Sequence, residues 1–394
     1  MLKLFINRYF FVLLGPLFFI ILFSFPTPSA FNDLSWKLVA ALTWILIWWS
    51  TEAVPIPVTS LLPILLFPAL GILETNSVLS NYSKPIIFMF MGGFFIASSL
   101  EKWQLHKRFA LGILQKCGQR PEAIIAGFMF ATAALSMWIS NTATTIMMMA
   151  IAMSITDFLN QNIKNPKDVL PLNKALMLSI AYAASIGGTA TLIGTPPNLF
   201  FASFLEDQFN MTIDMLSWMK IGVPFMLIML PTAWFWLSHI CYNVKTIELP
   251  NIQEVLKQES SNFKKMTLSE LSVVGIFVLT ATLWIFKLKI NTGLGWSLSD
   301  ADIALFSALL LFCLPASLSQ KQFLLDWKTA QEIPWGILLM FGGGLSVALS
   351  FSATGLTETL ANSFTSLSNL PPLLFLAVLA LFSLFSMLSK FLLF

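Results

Sequence analysis

The sequence predicts an all-α polytopic membrane protein built as an inverted-topology repeat, with re-entrant hairpins and a broken transmembrane helix. Three observations lead there. Of the 394 residues, 57% are hydrophobic and only 10% are charged, and the mean hydropathy is +0.80. A soluble globular chain carries roughly 25% charge. The apolar residues gather in a succession of runs, several of them close to the span length of about 20 residues. Two halves of the chain also match at a single offset, with opposite charge placement.

The runs lie near 9–25, 37–50, 56–72, 85–100, 123–156, 175–205, 215–240, 271–286, 301–318, 334–351 and 371–389. The first, Tyr9 to Phe25, follows Lys3 and Arg8 and is long for a signal-peptide core, so it reads as an uncleaved first helix. Glu52, with Pro55 and Pro57, marks a loop between two runs. The stretch Ala123–Thr156 is charge-free over 34 residues. That is longer than one span and shorter than two spans with a turn. A re-entrant hairpin fits, with Ser140-Asn141-Thr142 at its tip and both ends on the cytoplasmic face.

The stretch 175–205 is charge-free between Lys174 and Glu206, yet it holds Gly187-Gly188-Thr189 and Gly194-Thr195-Pro196-Pro197-Asn198. Glycine and paired prolines break helices, so a half-helix, a loop and a second half-helix are expected. Residues 242–270 are polar and read as a cytoplasmic linker. The resulting organisation is first-repeat scaffold helices over 1–122 and a transport domain over 123–241, comprising hairpin, broken helix and a following span. The linker 242–270 leads to second-repeat scaffold helices over 271–370 and the start of a second hairpin over 371–394.

The repeat rests on an offset of 250 residues. Gly92-Gly93 then matches Gly342-Gly343, Pro121 matches Pro371, and Ser136-Met137 matches Ser386-Met387. Segment 101–120 carries Lys102, Lys107, Arg108, Lys116 and Arg120, whereas 351–370 carries no Lys or Arg. The positive-inside rule puts the first in the cytoplasm and the second outside. Equivalent segments on opposite sides define an inverted repeat, the common plan of secondary transporters. The expected location is the inner cell membrane, multi-pass, with a cytoplasmic N-terminus. Lys287 and Lys289 fall on the outer side and run against this scheme.

Several function classes are excluded by composition. Cys117, Cys241 and Cys313 share no ligand spacing, and His106 and His239 are the only histidines, so no His-based metal cluster is expected. Met147-Met148-Met149 reads as packing. An intramembrane enzyme needs a nucleophile–base pair or metal ligands within the spans. No His or Asp pair lies there, and neither Gly-x-Ser-x-Gly nor His-Glu-x-x-His occurs. No cofactor and no nucleic-acid partner is expected.

The polar groups at membrane depth suit a small cation and an anion together. Irregular backbone in a bilayer must be buried or line a cavity. Ser136 lies four residues before Ser140, which predicts one helix face for both. Ser136, Ser140 and Asn141 offer side-chain oxygens, and carbonyls of the unwound Gly187–Thr195 segment could complete a sodium shell. No Lys or Arg lies in either segment. Positive potential for an anion would come from the helix N-termini at Asn141-Thr142 and after Pro196-Pro197, roughly half a charge each, and from bound sodium.

Ser140-Asn141-Thr142 in a charge-free hairpin, followed by Ala184-Ser185-Ile186-Gly187-Gly188-Thr189-Ala190-Thr191 and Gly194-Thr195-Pro196-Pro197-Asn198, resembles the divalent-anion:sodium symporters. The likeness covers the chain from about residue 36. It implies sodium-coupled symport of a dicarboxylate, citrate or sulfate by an elevator-type mechanism, in a homodimer within the lipid bilayer. It also implies a sodium site from Ser136, Ser140, Asn141, Gly188 and Gly194. The anion would meet Ser140, Asn141, Thr142, Thr189, Thr195 and Pro196.

The family has a second Ser-Asn-Thr hairpin. The 250-residue offset places it at Lys390, Phe391 and Leu392, and the sequence ends at Phe394. A lysine at a buried tip costs about 2.5–3.5 kcal/mol on the insertion scale. The expectation is therefore a C-terminally truncated member with an incomplete second repeat and impaired transport. A proton-coupled or exchange-type anion transporter of the same superfamily, and a non-transporting fragment, stand as alternatives.

Overall fold

The computed structural model describes residues 2–118, 120–163, 169–244, 265–317 and 322–363, together with 256–258, 260, 263 and 374. These residues are mostly helical, with almost no sheet. In chain order the helices are α1 Leu2–Ser24, α2 Asp33–Thr51, α3 Ile56–Thr59, α4 Leu62–Ala69, α5 Thr75–Asn81 and α6 Pro85–Lys102. Next come α7 Leu105–Leu114, α8 Pro121–Ser136, α9 Asn141–Asn162, α10 Leu170–Gly188, α11 Pro196–Phe209 and α12 Met215–Phe235. The last of these runs on as a π-helical turn, Trp236–Cys241. After the linker come α13 Leu268–Leu294, α14 Asp300–Cys313, α15 Trp327–Ala330, α16 Trp335–Thr354 and α17 Leu356–Ser363. Among the described residues, five helical stretches are long and apolar enough to cross a membrane: Thr75–Lys102, Asn141–Asn162, Met215–Cys241, Leu268–Leu294 and Trp335–Thr354. The chain is a multi-pass membrane protein.

Local chemistry sets many of the boundaries. Asn32 and Ser35 form a reciprocal capping box at the start of α2, as do Thr267 and Glu270 at α13 and Ser299 and Asp302 at α14. Each satisfies two backbone donors that a helix start leaves unpaired. Gly295 closes α13 in the left-handed region at φ 68, where a side chain would be strained. The apolar run 56–72 is not one helix. It breaks into α3 and α4, with Pro57 and Pro63 in their first turns, because proline lacks the N–H that would continue a preceding helix. The end of the run 301–318 leaves the helix as well. Pro315–Ser317 pairs antiparallel with Gln322–Phe323 as strands β1 and β2. The run 371–389, apart from residue 374, and the second-hairpin expectation at 390–392 lie outside the described residues. So does most of the linker.

The chain divides into two compact units. One takes the described residues of Met1–Lys84 and Trp335–Phe394, the other those of Pro85–Pro334. In the first, Trp36 Nε1 donates to Leu22 O and Trp48 Nε1 to Val12 O, both at 3.1 Å, and these bonds lace α1 to α2. Leu38, Ile45 and Phe67 fill its core.

In the second unit α10 packs along α8 and α9, and α6 packs along α14. Lys102 pairs with Asp326 at 2.6 Å and Arg108 with Glu270 at 3.0 Å. Lys287, one of the two exceptions to the charge scheme, is no free cation. Its ammonium sits 2.8 Å from Asp300 and 3.5 Å from Asp214, with 15% of the side chain exposed. Asp300 also accepts from Met215 N at 2.9 Å. Burial pushes the Asp214 carboxyl up, but Ser217 and Lys287 outweigh it and hold the group below the usual carboxylate range. The pairing explains how this lysine is accommodated without a solvent-facing loop.

The 250-residue register reappears in the helix starts. Residue 85 opens α6 and residue 335 opens α16, so Gly92-Gly93 and Gly342-Gly343 occupy the same turn of their helices.

Candidate functional site

Helices α8 and α9 are joined by four residues, Met137 to Ser140. Ser140 caps α9: its backbone is extended at φ −55 and ψ 142, and its hydroxyl accepts from Ala143 N at 3.2 Å. Serine is among the preferred residues at such a cap, which is why α9 starts at Asn141. The expectation that Ser136 and Ser140 share a helix face does not hold. Ser136 is the last residue of α8, whereas Ser140 begins α9. The chain changes direction between them, so the four-residue spacing is not one helical turn.

The second segment breaks where glycine and proline predict. α10 ends at Gly188, seven residues cross to Thr195, and α11 starts at Pro196. Thr195 is extended, at φ −150 and ψ 143, as a residue before proline is biased to be.

The tip and the break meet directly. Buried Ser136 Oγ lies 2.8 Å from Ala184 O on α10 and 2.6 Å from Asn141 Oδ1. Thr191 of the loop donates its hydroxyl to Met137 O in the tip and accepts from Gly194 N at 3.1 Å. Gly188 packs against the Asn141 carboxamide so closely that an added Cβ would overlap its oxygen. Gly194 in turn rests on Gly188: its Cβ would stand 2.5 Å from Gly188 O. Asn198 Nδ2 donates to Gly188 O at 2.9 Å and to Thr191 O at 2.7 Å, clamping the loop from α11.

The surroundings hold both parts. Trp138 of the tip stacks on Trp284 of α13, with ring centroids 6.4 Å apart and planes 6° apart, and meets Phe277 edge-on. Trp218 of α12 donates to Thr189 O at 2.9 Å.

Of the residues that the sequence points to, Ser136, Asn141, Gly188 and Gly194 thus form one continuous contact. Ser140 stands beside them as the cap. Thr142 is exposed, and Thr195 and Pro196 are half-buried at the opening of α11. Thr189 turns its hydroxyl back to Ile186 O at 2.7 Å, and Trp218 engages its carbonyl, so the scaffold occupies its polar groups. Thr191 and Asn198, which the motifs contain but the sodium and anion assignments leave out, also shape the loop, as does Trp218. Polar Thr191 and Asn198 flanking a break carry a usable signal. Trp218 carries none, since its partner lies 29 residues away.

The hairpin packs on the broken helix with neutral oxygens at the junction, and stretches 123–156 and 175–205 carry no charged side chain, an arrangement chemically suited to a small cation and an anion in a multi-pass membrane protein. The family model for citrate transporters matches residues 46–392. The sodium-dependent dicarboxylate transporter SdcS of Staphylococcus aureus strain USA300 is 39% identical over 373 residues, covering 92% of this chain and 71% of the relative. The same protein from strain NCTC 8325 matches to the same extent. The chain belongs to the divalent-anion:sodium symporter family. It is a transporter by family and not an enzyme.

Proposed function

We propose that this chain carries the ion and anion site of a sodium-coupled symporter for a divalent anion, with a C4-type dicarboxylate as the first candidate and citrate or sulfate as further ones. The observation that carries the reading is the junction of Asn141 and Gly188. It supplies neutral oxygens to a cation beside two helix N-termini that favour an anion. Sodium would bind among Ser136 Oγ, Asn141 Oδ1, Ser140 and the carbonyls of the α10 end. A substrate carboxylate would lie over the first turn of α9, at Asn141 and Thr142, and reach the Thr195 hydroxyl. The name of the Staphylococcus relative, a sodium-dependent dicarboxylate transporter, supports this choice.

Sodium is favoured over a proton for a specific reason. Stretches 123–156 and 175–205 contain no Asp, Glu, His, Lys or Arg, so no side chain there changes charge near neutral pH. The transport domain 123–241 would move against scaffold helices, within a homodimer, in an inner membrane with the N-terminus cytoplasmic. These 394 residues hold one Ser-Asn-Thr tip and one Gly-Thr-Pro-Pro loop.

The test uses the purified chain in detergent and in proteoliposomes. Sodium should raise the unfolding temperature where choline at equal ionic strength does not. The sodium midpoint should stay flat between about pH 6 and pH 8, the range in which histidine-like groups titrate. Succinate uptake, however small, should follow a sodium gradient. Equal stabilisation by choline, or uptake driven by a proton gradient without sodium, defeats the reading.

A further inference from the structure

One hydroxyl near the tip is conspicuous for having nothing to bond. Thr144 lies in the first turn of α9, is 1% exposed, and its Oγ1 is buried with no hydrogen-bond partner. Membrane-helix threonines usually return their hydroxyl to the carbonyl four residues back. Thr132, Thr232, Thr280, Thr282 and Thr292 all do so here. Thr144 does not, although Ser140 O accepts its backbone N–H at 3.0 Å. A buried polar group without a partner is costly, and its presence calls for a ligand.

Its position says which one. Residue 144 follows Asn141 by three and Ser140 by four, so all three share one side of the helix opening. Side chains on a helix lean towards its N-terminus, which carries the Thr144 hydroxyl towards the turn that holds Asn141. Asn141 faces Gly188 at the end of α10. One turn further along α9, beside the buried Met148 and Ile151, the helix packs against α10 and α8. At the opening of α9, Ser136 Oγ lies 2.6 Å from Asn141 Oδ1 and 2.8 Å from Ala184 O. Thr156 shares the unpaired hydroxyl but sits about three turns deeper, away from both helix ends.

We propose that Thr144 Oγ1 is a further oxygen ligand of the coupling cation, completing from below a shell begun by Ser136 and Asn141. The proposal rests on the sodium-site reading above. It names a residue that neither the motif nor its spacing selects. A monovalent alkali cation suits the position, because every nearby donor is a neutral oxygen and a divalent ion would lack a carboxylate.

The probe is sodium chloride against choline chloride, and the readout is the sodium midpoint of thermal stabilisation of the full 394-residue chain. Thr144→Val keeps the shape and removes the oxygen. The midpoint is expected to rise about tenfold, the scale of one lost charge-assisted contact. Without sodium, the unfolding temperature should stay equal or rise, since an unpaired buried hydroxyl has been removed. Thr144→Ser keeps the oxygen and should track the parent.

An unchanged midpoint in Thr144→Val overturns the inference while leaving the sodium site intact. A lower sodium-free unfolding temperature in that variant overturns it too, because Thr144 would then have a protein partner. A Ser variant as impaired as the Val variant points to packing and overturns it likewise. If the parent itself shows no sodium-specific stabilisation, the reading of the whole site falls with it. Should Thr144→Val fail to fold, Thr144→Ala replaces it with the sodium midpoint alone as its readout, because the lost methyl lowers the sodium-free unfolding temperature by itself.

Discussion

Helices α9 and α11 both open at the junction, and both present the positive end of a helix dipole there. They differ in what they can donate. α9 starts with Asn141 and Thr142 after a serine cap; Ser140 takes the N–H groups of Ala143 and Thr144, and those of Asn141 and Thr142 have no partner within the helix. α11 starts with Pro196 and Pro197, which have no N–H, and the next amide, of Asn198, bonds to Thr195 O at 3.2 Å. The α9 end can therefore bind a carboxylate by hydrogen bonds. The α11 end offers field, a fixed shape and the Thr195 hydroxyl. Two prolines at the first positions hold φ near −65°, so α11 gains rigidity where α9 gains donors.

The largest expected effect breaks the contact between the two ends. Gly188→Val puts two methyl groups into the Asn141 carboxamide. It should destabilise the chain by about 1–3 kcal/mol, as overpacked cores do, and abolish the sodium-specific shift in unfolding temperature. Retention of that shift would separate the Asn141–Gly188 contact from ion binding.

Next comes Asn198→Leu, which leaves the buried carbonyls of Gly188 and Thr191 without their amide donor. A loss of about 2 kcal/mol or more in denaturant unfolding is expected, at roughly 1–3 kcal/mol per stranded group. A near-neutral result would mean that the α11 clamp does not hold the loop.

Thr191→Val removes the hydroxyl that ties loop to tip. About 1 kcal/mol of stability should go, with a weaker sodium response, both measured on the same thermal unfolding curves.

The smallest effect sharpens the contrast instead. Pro197→Ala gives α11 an N–H where it has none. Stability should fall by about 0.4–1 kcal/mol through greater freedom of the unfolded chain. Stabilisation by succinate should hold or strengthen. If succinate stabilisation disappears, the proline pair is itself part of the anion site.

Much of this contrast is legible in the amino-acid sequence. The charge-free length of 123–156 signals a hairpin because a bilayer rejects charge and limits span length. Ser140 signals the start of α9, because a serine cap satisfies an amide that the helix cannot. Pro196 and Pro197 signal the start of α11, because proline terminates a preceding helix and suits the first turn of a new one. Each signal is local, so a short window of residues contains it. The same window misleads over Ser136 and Ser140. A helical spacing counted through Met137–Ile139 runs across a turn in the chain.

Hydropathy and backbone chemistry within a few residues thus set the membrane class, the break in the second segment and the two helix starts. The partners that those starts face come from packing alone. Ser136 finds Ala184 across 48 residues and Thr191 finds Met137 across 54. Lys287 is neutralised between Asp214 and Asp300, and the Thr144 hydroxyl is buried without a hydrogen bond. Such pairings depend on which helices come together. That choice is made by the shape of whole faces, such as a glycine that lets an asparagine approach closely, and no local pattern encodes the partner of a face.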